Sequence, residues 1–319
     1  MAERHIAIIG AGAWGIALAC AEGLAGRRVT LWMRSPVAGT VRSLPRLPQI
    51  SLPDNVSVTG TFPLDADLTL LTVPLQTLRS VAARLPGTSP LVACCKGVEN
   101  VTGALPLDIL AETQPHRSHA MLSGPNFAIE IAGGLPAAAT LAAARLDDAR
   151  RYAALLSTPT LRLYASDDPL GVQIAGAAKN VVAIAAGIAI GAGLGENARA
   201  ALITRSIVEI GRLTEALGGK AATIAGLSGL GDLILTCTGA GSRNYSLGIA
   251  LGQGETLDTI LRSRTTVAEG VATAPALLAL ARRHGVDMPV TNVVARFLDG
   301  GIDLARAREL LLERPPTVE

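Results

Sequence analysis

Cysteine, lysine and clustered charge are all scarce in this 319-residue chain. The four cysteines, Cys20, Cys94, Cys95 and Cys237, are too few to be a disulfide framework, and none stands in C-x-x-C spacing. They read as reduced core thiols, which points to a cytoplasmic protein. The four histidines are scattered; His116 and His119 are close, but their polar surroundings hold no cysteine or carboxylate cluster, so no metal site is expected. Lysine plus arginine total 28 against 26 acidic residues, and the net charge of +2 comes without a basic run, which argues against nucleic-acid binding. Long Leu/Ile/Phe stretches are also missing, although mean hydropathy is +0.40; alanine and valine raise that index. The one span that resembles a membrane segment, residues 169–194, is mostly Ala, Gly and Val and carries Lys179 and Asn180 near its middle, so a buried helix is expected there. No charged leader with a cleavable apolar stretch precedes the first strand-like segment.

What is present suits a large packed core. Hydrophobic residues make up 49% of the chain and charged residues 17%, which excludes disorder, and the length fits one large domain or two ordinary ones. Short apolar runs at residues 6–9, 29–32, 68–73 and 91–95 read as buried strands with helical segments between several of them. Further strands are expected at 120–122, 137–142 and 161–164. This alternation predicts an α/β domain with a parallel sheet covered on both faces. After Tyr164 the pattern changes. Ser166-Asp167-Asp168-Pro169 is a helix-start signal, and from there helical stretches are separated by glycine-rich joints. A boundary is therefore expected near residue 166, with an all-α C-terminal domain over 167–319.

The first strand is followed by Gly10-Ala11-Gly12-Ala13-Trp14-Gly15 and then an apolar helix. Strand, G-x-G-x-x-G and helix in that order mark residues 1–166 as a Rossmann-like dinucleotide-binding domain, in which glycines admit a pyrophosphate to the helix N-terminus. The second strand ends at Trp32-Met33-Arg34 without the Asp or Glu that holds the ribose hydroxyls of NAD. Arg34 is suited to a 2′-phosphate, favouring NADP or dual use.

Only three basic residues are lysine: Lys96, Lys179 and Lys220. Arginine cannot give up its proton in practice, whereas a buried lysine can. Lys179 has Ala175, Gly176, Val182 and Ala183 as helical neighbours and no carboxylate within a turn, so desolvation is expected to lower its pKa toward that of a general base. Asn180 beside it is placed to orient a substrate hydroxyl. Lys96 follows a buried strand and so lies at the C-terminal edge of the sheet, where such folds bind ligands; an electrostatic role is expected. Ser123-Gly124-Pro125-Asn126 offers backbone amides to a small anion. The run from Gly226 through Asp232 and Thr236 to Ser242-Arg243-Asn244 suits a phosphate clamp. Asp232, in an apolar stretch, needs a nearby lysine or a substrate hydroxyl to justify its burial.

Taken in order, GAGAWG, CKGVE, LSGPNFAIE, GAAKNV, ENARAALITR, GLSGLGDLILTCTGAGSRN and VAEGV closely resemble the bacterial NAD(P)-dependent glycerol-3-phosphate dehydrogenase family over nearly the whole chain. The resemblance implies interconversion of sn-glycerol 3-phosphate and dihydroxyacetone phosphate with NADPH or NADH, supplying phospholipid synthesis. It implies Lys179 as proton acceptor and donor at the C2 oxygen, with Lys96, Asn180, Asp232 and Thr236 around the reacting carbon. Ser242, Arg243 and Asn244 would hold substrate at its phosphate, and Gly124 and Asn126 would also touch it. Gly10, Gly12, Ala13, Trp14, Gly15, Arg34, Lys96, Ala128, Val267 and Glu269 would contact the dinucleotide, with Arg243 near both ligands. Ala13 and Asn126 depart from the family, which mostly carries Ser or Thr at each position. A ketopantoate-reductase-like or hydroxyacid-dehydrogenase-like enzyme is the alternative, since these share the fold plan and a helix-borne lysine. The apolar helical domain makes a homodimer the expected assembly.

Arg34→Glu is expected to weaken NADPH binding at least tenfold more than NADH binding, since one charge-assisted phosphate contact contributes about 1.5–3 kcal/mol; fluorescence titration of both cofactors checks this.

Overall fold

The computed structural model describes residues 4–35, 42–263 and 268–312. The chain divides into two compact units, one of Met1–Lys96 with Ala104–Val172, the other of Gly97–Gly103 with Gln173–Glu319.

The first unit is built on an eight-stranded sheet. Its elements run β1 (His5–Ile9), α1 (Ala13–Leu24), β2 (Arg28–Trp32), β3 (Val56–Thr59), β4 (Leu68–Leu71), α2 (Leu75–Ala82), β5 (Leu91–Ala93), α3 (Pro106–Thr113), β6 (His119–Ser123), α4 (Ala128–Ala132), β7 (Ala137–Ala143), α5 (Leu146–Leu156) and β8 (Leu161–Ser166). The spatial order is β3-β2-β1-β4-β5-β6-β7-β8. Strand β1 is buried along its length because it lies inside the sheet with helices on both faces. Its side chains alternate accordingly: Ile6 and Ile8 join the core with Leu18, Val29 and Leu31, while Ile9 joins the core with Leu71, Leu78 and Ile109 on the other face.

All seven expected strands are present, with two differences from the sequence-based expectation. Strand β3 is additional; its Val-Ser-Val-Thr sequence is half exposed at the sheet edge and carries no apolar run. The β6–β7 pair is antiparallel, whereas every other neighbouring pair is parallel. The helix between them, α4, has five residues, about 7.5 Å at 1.5 Å per residue, too short to carry the chain back along a strand for a parallel crossover.

Among the described residues the second unit has helices and no strand. Its elements are α6 (Pro169–Gly191), which enters it from the first unit, then α7 (Gly195–Ala216), α8 (Ala221–Ile224), a π-helical turn (Leu227–Gly231), α9 (Asp232–Thr238), α10 (Arg243–Gly252), α11 (Leu257–Ser263), α12 (Glu269–Arg283), α13 (Pro289–Leu298) and α14 (Leu304–Leu312). The helix start signalled by Asp168 is used: its carboxylate accepts from the Gly171 N–H at 2.9 Å. Helix α6 is long and apolar enough to cross a membrane by length and composition, but 89% of that stretch is buried inside the protein. It packs backbone to backbone on α10. A Cβ on Gly187 would lie 2.2 Å from the Tyr245 carbonyl oxygen, and one on Gly248 would lie 2.2 Å from that of Ile184. Larger residues there would drive apart the two helices that carry Asn180 and Asn244.

At the end of α1 the buried Glu22 pairs with Arg27, which also donates to the Ser157 carbonyl at 2.7 Å. Burial pushes the Glu22 carboxyl up to about 7 despite the opposing charge of Arg27, and its Oε1 has no hydrogen-bond partner. The folded state therefore holds this proton more tightly than the unfolded state, and stability declines as pH rises from about 4.5 toward 7. Glu22→Gln is expected to match the parent near pH 5 and to melt about 2–4 °C higher at pH 8, the shift that roughly 1 kcal/mol produces in a chain of this order; melting curves across that range check it.

Candidate active site

Of the residues expected at a dinucleotide, Gly10, Gly12, Ala13, Trp14, Gly15, Arg34, Lys96 and Ala128 belong to the first unit, and Arg243 and Glu269 to the second. Gly10 ends β1 with φ +121°, and its carbonyl accepts from the Thr72 hydroxyl at 2.7 Å. A Cβ on Gly15 would lie 1.9 Å from the Gly10 carbonyl oxygen, so this glycine lets α1 start directly against the turn. Gly12 differs: it caps α1, and a Cβ there would meet nothing within 4 Å. The space above Gly12 is open, and no side chain caps the first N–H groups of α1. An open cradle at a bare helix N-terminus fits a pyrophosphate. Ala13 and the half-buried Trp14 form the first turn, and Ala128 opens α4, which packs on α1. Arg34 is exposed two residues beyond β2.

At the C-terminal edge of the first unit's sheet, β5 and β6 are parallel neighbours, which brings the segments beyond their ends together. The Lys96 ammonium donates to the Gly124 carbonyl at 3.3 Å. Gly124 has φ +153°, and a Cβ on it would sit 2.8 Å from the Ala139 Cα. Asn126 follows, with Nδ2 and Oδ1 both buried and neither hydrogen bonded. A buried amide with both ends unmade is a costly arrangement unless a ligand completes it.

In the second unit, α6 carries Lys179 into the interior and α9 brings Asp232 and Thr236 to it from more than fifty residues away. Spaced four apart, Asp232 and Thr236 share one face of α9. The Lys179 ammonium donates to Asp232 Oδ1 at 2.6 Å and to Thr236 Oγ1 at 3.1 Å, and the Thr236 hydroxyl donates to Asp232 Oδ1 at 3.2 Å. The Lys179 and Asp232 side chains are 11% and 1% exposed. Lys179 finds its counter-charge through tertiary structure and not within a turn of its own helix. Asp232 has the nearby lysine that its burial demands. The π turn before α9 aims Asp232, and a Cβ on its Gly229 would stand 2.0 Å from the Ile224 carbonyl oxygen. Next in the chain, burial pushes the Cys237 thiol up to about 12, which keeps it protonated and inert. All four cysteines are free and buried.

Beside this cluster, the buried Asn180 and Asn244 are hydrogen bonded to each other, and Asn244 also accepts from the Gly270 N–H. Ser242 caps α10, accepting from the Tyr245 N–H at 3.2 Å, and Arg243 is exposed at that helix start. Glu269 opens α12. Val267 lies outside the described residues. Two residues of these networks carry no sequence signal of their own. Thr72 is hidden inside an apolar strand signal, and Gly270 has no mark beyond its place after Glu269.

A glycine-lined dinucleotide edge in one unit and a buried lysine–carboxylate pair in a helical second unit define a nicotinamide-dependent oxidoreductase of two-domain type. Residues 5–149 match the NAD-dependent glycerol-3-phosphate dehydrogenase N-terminus, and residues 168–309 match the C-terminus of the same family. The chain is 64% identical over 319 residues to the glycerol-3-phosphate dehydrogenase [NAD(P)+] of Gluconobacter oxydans, spanning 99% of this chain and 98% of that protein. A crystal structure of glycerol-3-phosphate dehydrogenase from Coxiella burnetii superposes with TM-score 0.91 at 34% identity, covering 98% of this chain and 99% of that one. A probable 2-dehydropantoate 2-reductase from Bacillus subtilis, at TM-score 0.58 and 15% identity over 93% of this chain and 99% of that one, shares the fold alone. The chain belongs to the NAD-dependent glycerol-3-phosphate dehydrogenase family.

Asn126→Ser is expected to stabilise the ligand-free protein by about 1–3 kcal/mol, because it removes a buried amide with no partners; urea unfolding without ligands measures it.

Proposed function

We propose that this chain interconverts sn-glycerol 3-phosphate and dihydroxyacetone phosphate with NADPH or NADH. In the cell it works in the reducing direction, in the cytoplasm and as a homodimer, and supplies glycerol 3-phosphate for phospholipid synthesis. Residues 1–166 serve as the dinucleotide-binding domain and 167–319 as the substrate-binding and catalytic domain. The family match and the 64% identical relative support the activity. The observation that carries the mechanism is the buried Lys179–Asp232–Thr236 cluster.

The dinucleotide supplies the hydride when bound. Gly10, Gly12, Ala13, Trp14 and Gly15 at the α1 N-terminus would hold it, with Arg34, Ala128, Val267 and Glu269 carried over from the family resemblance as further contacts. Lys179, paired with Asp232, donates a proton to the C2 oxygen as negative charge develops there. Asp232 and the Thr236 hydroxyl hold the amine on target after that proton has left. In the oxidising direction the same nitrogen accepts the C2 hydroxyl proton. Lys96 polarises the substrate oxygen and contacts both ligands. Gly124 and Asn126 contact substrate, Asn180 stands with Lys96, Asp232 and Thr236 around the reacting carbon, and Ser242, Arg243 and Asn244 hold substrate, largely at its phosphate. Paired and buried, Lys179 acts in a low-dielectric setting where its charge is worth more than in water.

NADPH oxidation is expected with dihydroxyacetone phosphate and not with ketopantoate, followed by absorbance at neutral pH. Lys179→Ala is expected to lower kcat by about 10²–10⁴-fold while NADPH binding, measured by fluorescence, stays within twofold. Residual activity near the parent level removes Lys179 from the proton-transfer role.

A further inference from the structure

We propose that Arg199 is a positioning residue that pins the first turn of α10 through Tyr245, and so sets the grip of Ser242, Arg243 and Asn244 on the substrate's phosphate. This deepens the reading above and rests on it.

Arg199 stands near the start of α7, within the Glu196-to-Arg205 segment to which the mechanism gives no part. Its guanidinium reaches α10, donating from Nη1 to the Tyr245 hydroxyl at 3.0 Å. The guanidinium carbon lies 6.0 Å from the centre of the same ring, and Nη2 pairs with Glu196, three residues back on α7. Glu196 thus takes one end of the planar fork and leaves the other to the phenol. Tyr245 is 6% exposed, so its hydroxyl needs a partner within the protein, and Arg199 supplies it.

Tyr245 is tied down at three points. Its N–H donates at 3.2 Å to the hydroxyl of Ser242, the cap of α10. Its carbonyl lies against α6, where a Cβ on Gly187 would come within 2.2 Å. Its hydroxyl is held from α7. The first two ties act on the backbone, close to the helix axis. The third acts at the far end of the ring and has the most leverage over rotation of the turn. Arg243 and Asn244 fill the two positions between the cap and Tyr245, so any rotation of that turn carries both with it. A phosphate at a helix start is held by fixed N–H groups and side chains, and a small displacement of them is costly. Arg199 also brings positive charge to this part of the second unit: it draws the thiol of Cys237, the neighbour of Thr236 on α9, in the direction opposite to burial.

Tyr245→Phe removes the hydroxyl and keeps the ring, while Arg199→Met removes the donor and keeps a long side chain. Each variant is assayed with dihydroxyacetone phosphate and with dihydroxyacetone, which has the same carbonyl and no phosphate, at raised enzyme concentration for the slower substrate. In each variant kcat/KM for dihydroxyacetone phosphate is expected to fall about 5–20-fold, while that for dihydroxyacetone stays within about twofold. In the double variant the loss is expected to stay within about threefold of the larger single loss, because both substitutions break one contact. Equal losses on the two substrates overturn the proposal, since a role in folding alone lowers both. So does an unchanged kcat/KM for dihydroxyacetone phosphate, and so do losses that multiply in the double variant. Should Arg199→Met fail to fold, Tyr245→Phe decides by the same two-substrate comparison. A parent that does not reduce dihydroxyacetone phosphate sinks the activity assigned above and the proposal with it. A parent that reduces it, with variants that keep its preference for the phosphorylated substrate, sinks the proposal alone.

Discussion

A lysine charge buried in an apolar helix must find its counter-charge, and in this protein it finds Asp232. Removing one partner from such a pair typically costs about 3–5 kcal/mol, because the other is left as an uncompensated buried ion. That constraint reaches outward through the second unit. Helix α9 has to begin where Asp232 meets Lys179, which the π turn and its cramped Gly229 arrange. Asp232 and Thr236 then close a triangle with the ammonium.

The first unit solves a different problem, the approach of a large anion to a backbone. Its three turn glycines do three separate things. Gly10 takes a conformation that disfavours a side chain, Gly15 lets helix meet turn, and Gly12 leaves open the space that a pyrophosphate needs. The conformation of Gly10 and the close approach at Gly15 would suit any strand–turn–helix of this tightness. This is why a glycine pattern alone is weak, and why the shared fold of a 15% identical reductase carries no activity with it. The family assignment rests instead on matches that run through both units.

Small residues recur where function needs precision in the second unit. Alanine and glycine along α6 mark burial, but Gly187 also admits α10 to backbone contact. Close helices bring two asparagines within hydrogen-bond reach. The amides are then held by a network anchored on a main-chain N–H, a more rigid arrangement than two long polar side chains reaching across a gap.

The interior strands of the sheet, the glycine turn and the start of α6 were all legible in the amino-acid sequence. These rest on local signals: apolar runs of strand length, a cap before a proline, glycines at fixed offsets. The remainder depends on contacts between distant segments. The edge strand β3 has no apolar run because an edge need not be buried, and the reversal at β7 follows from a helix too short to cross over. Lys179 and Asp232 could each be suspected, but 53 residues of chain separate them and no local periodicity links the two. Their meeting turned an isolated base into half of an ion pair. The bond between Asn180 and Asn244 was illegible for the same reason: 64 residues of chain separate them, and only folding brings them together.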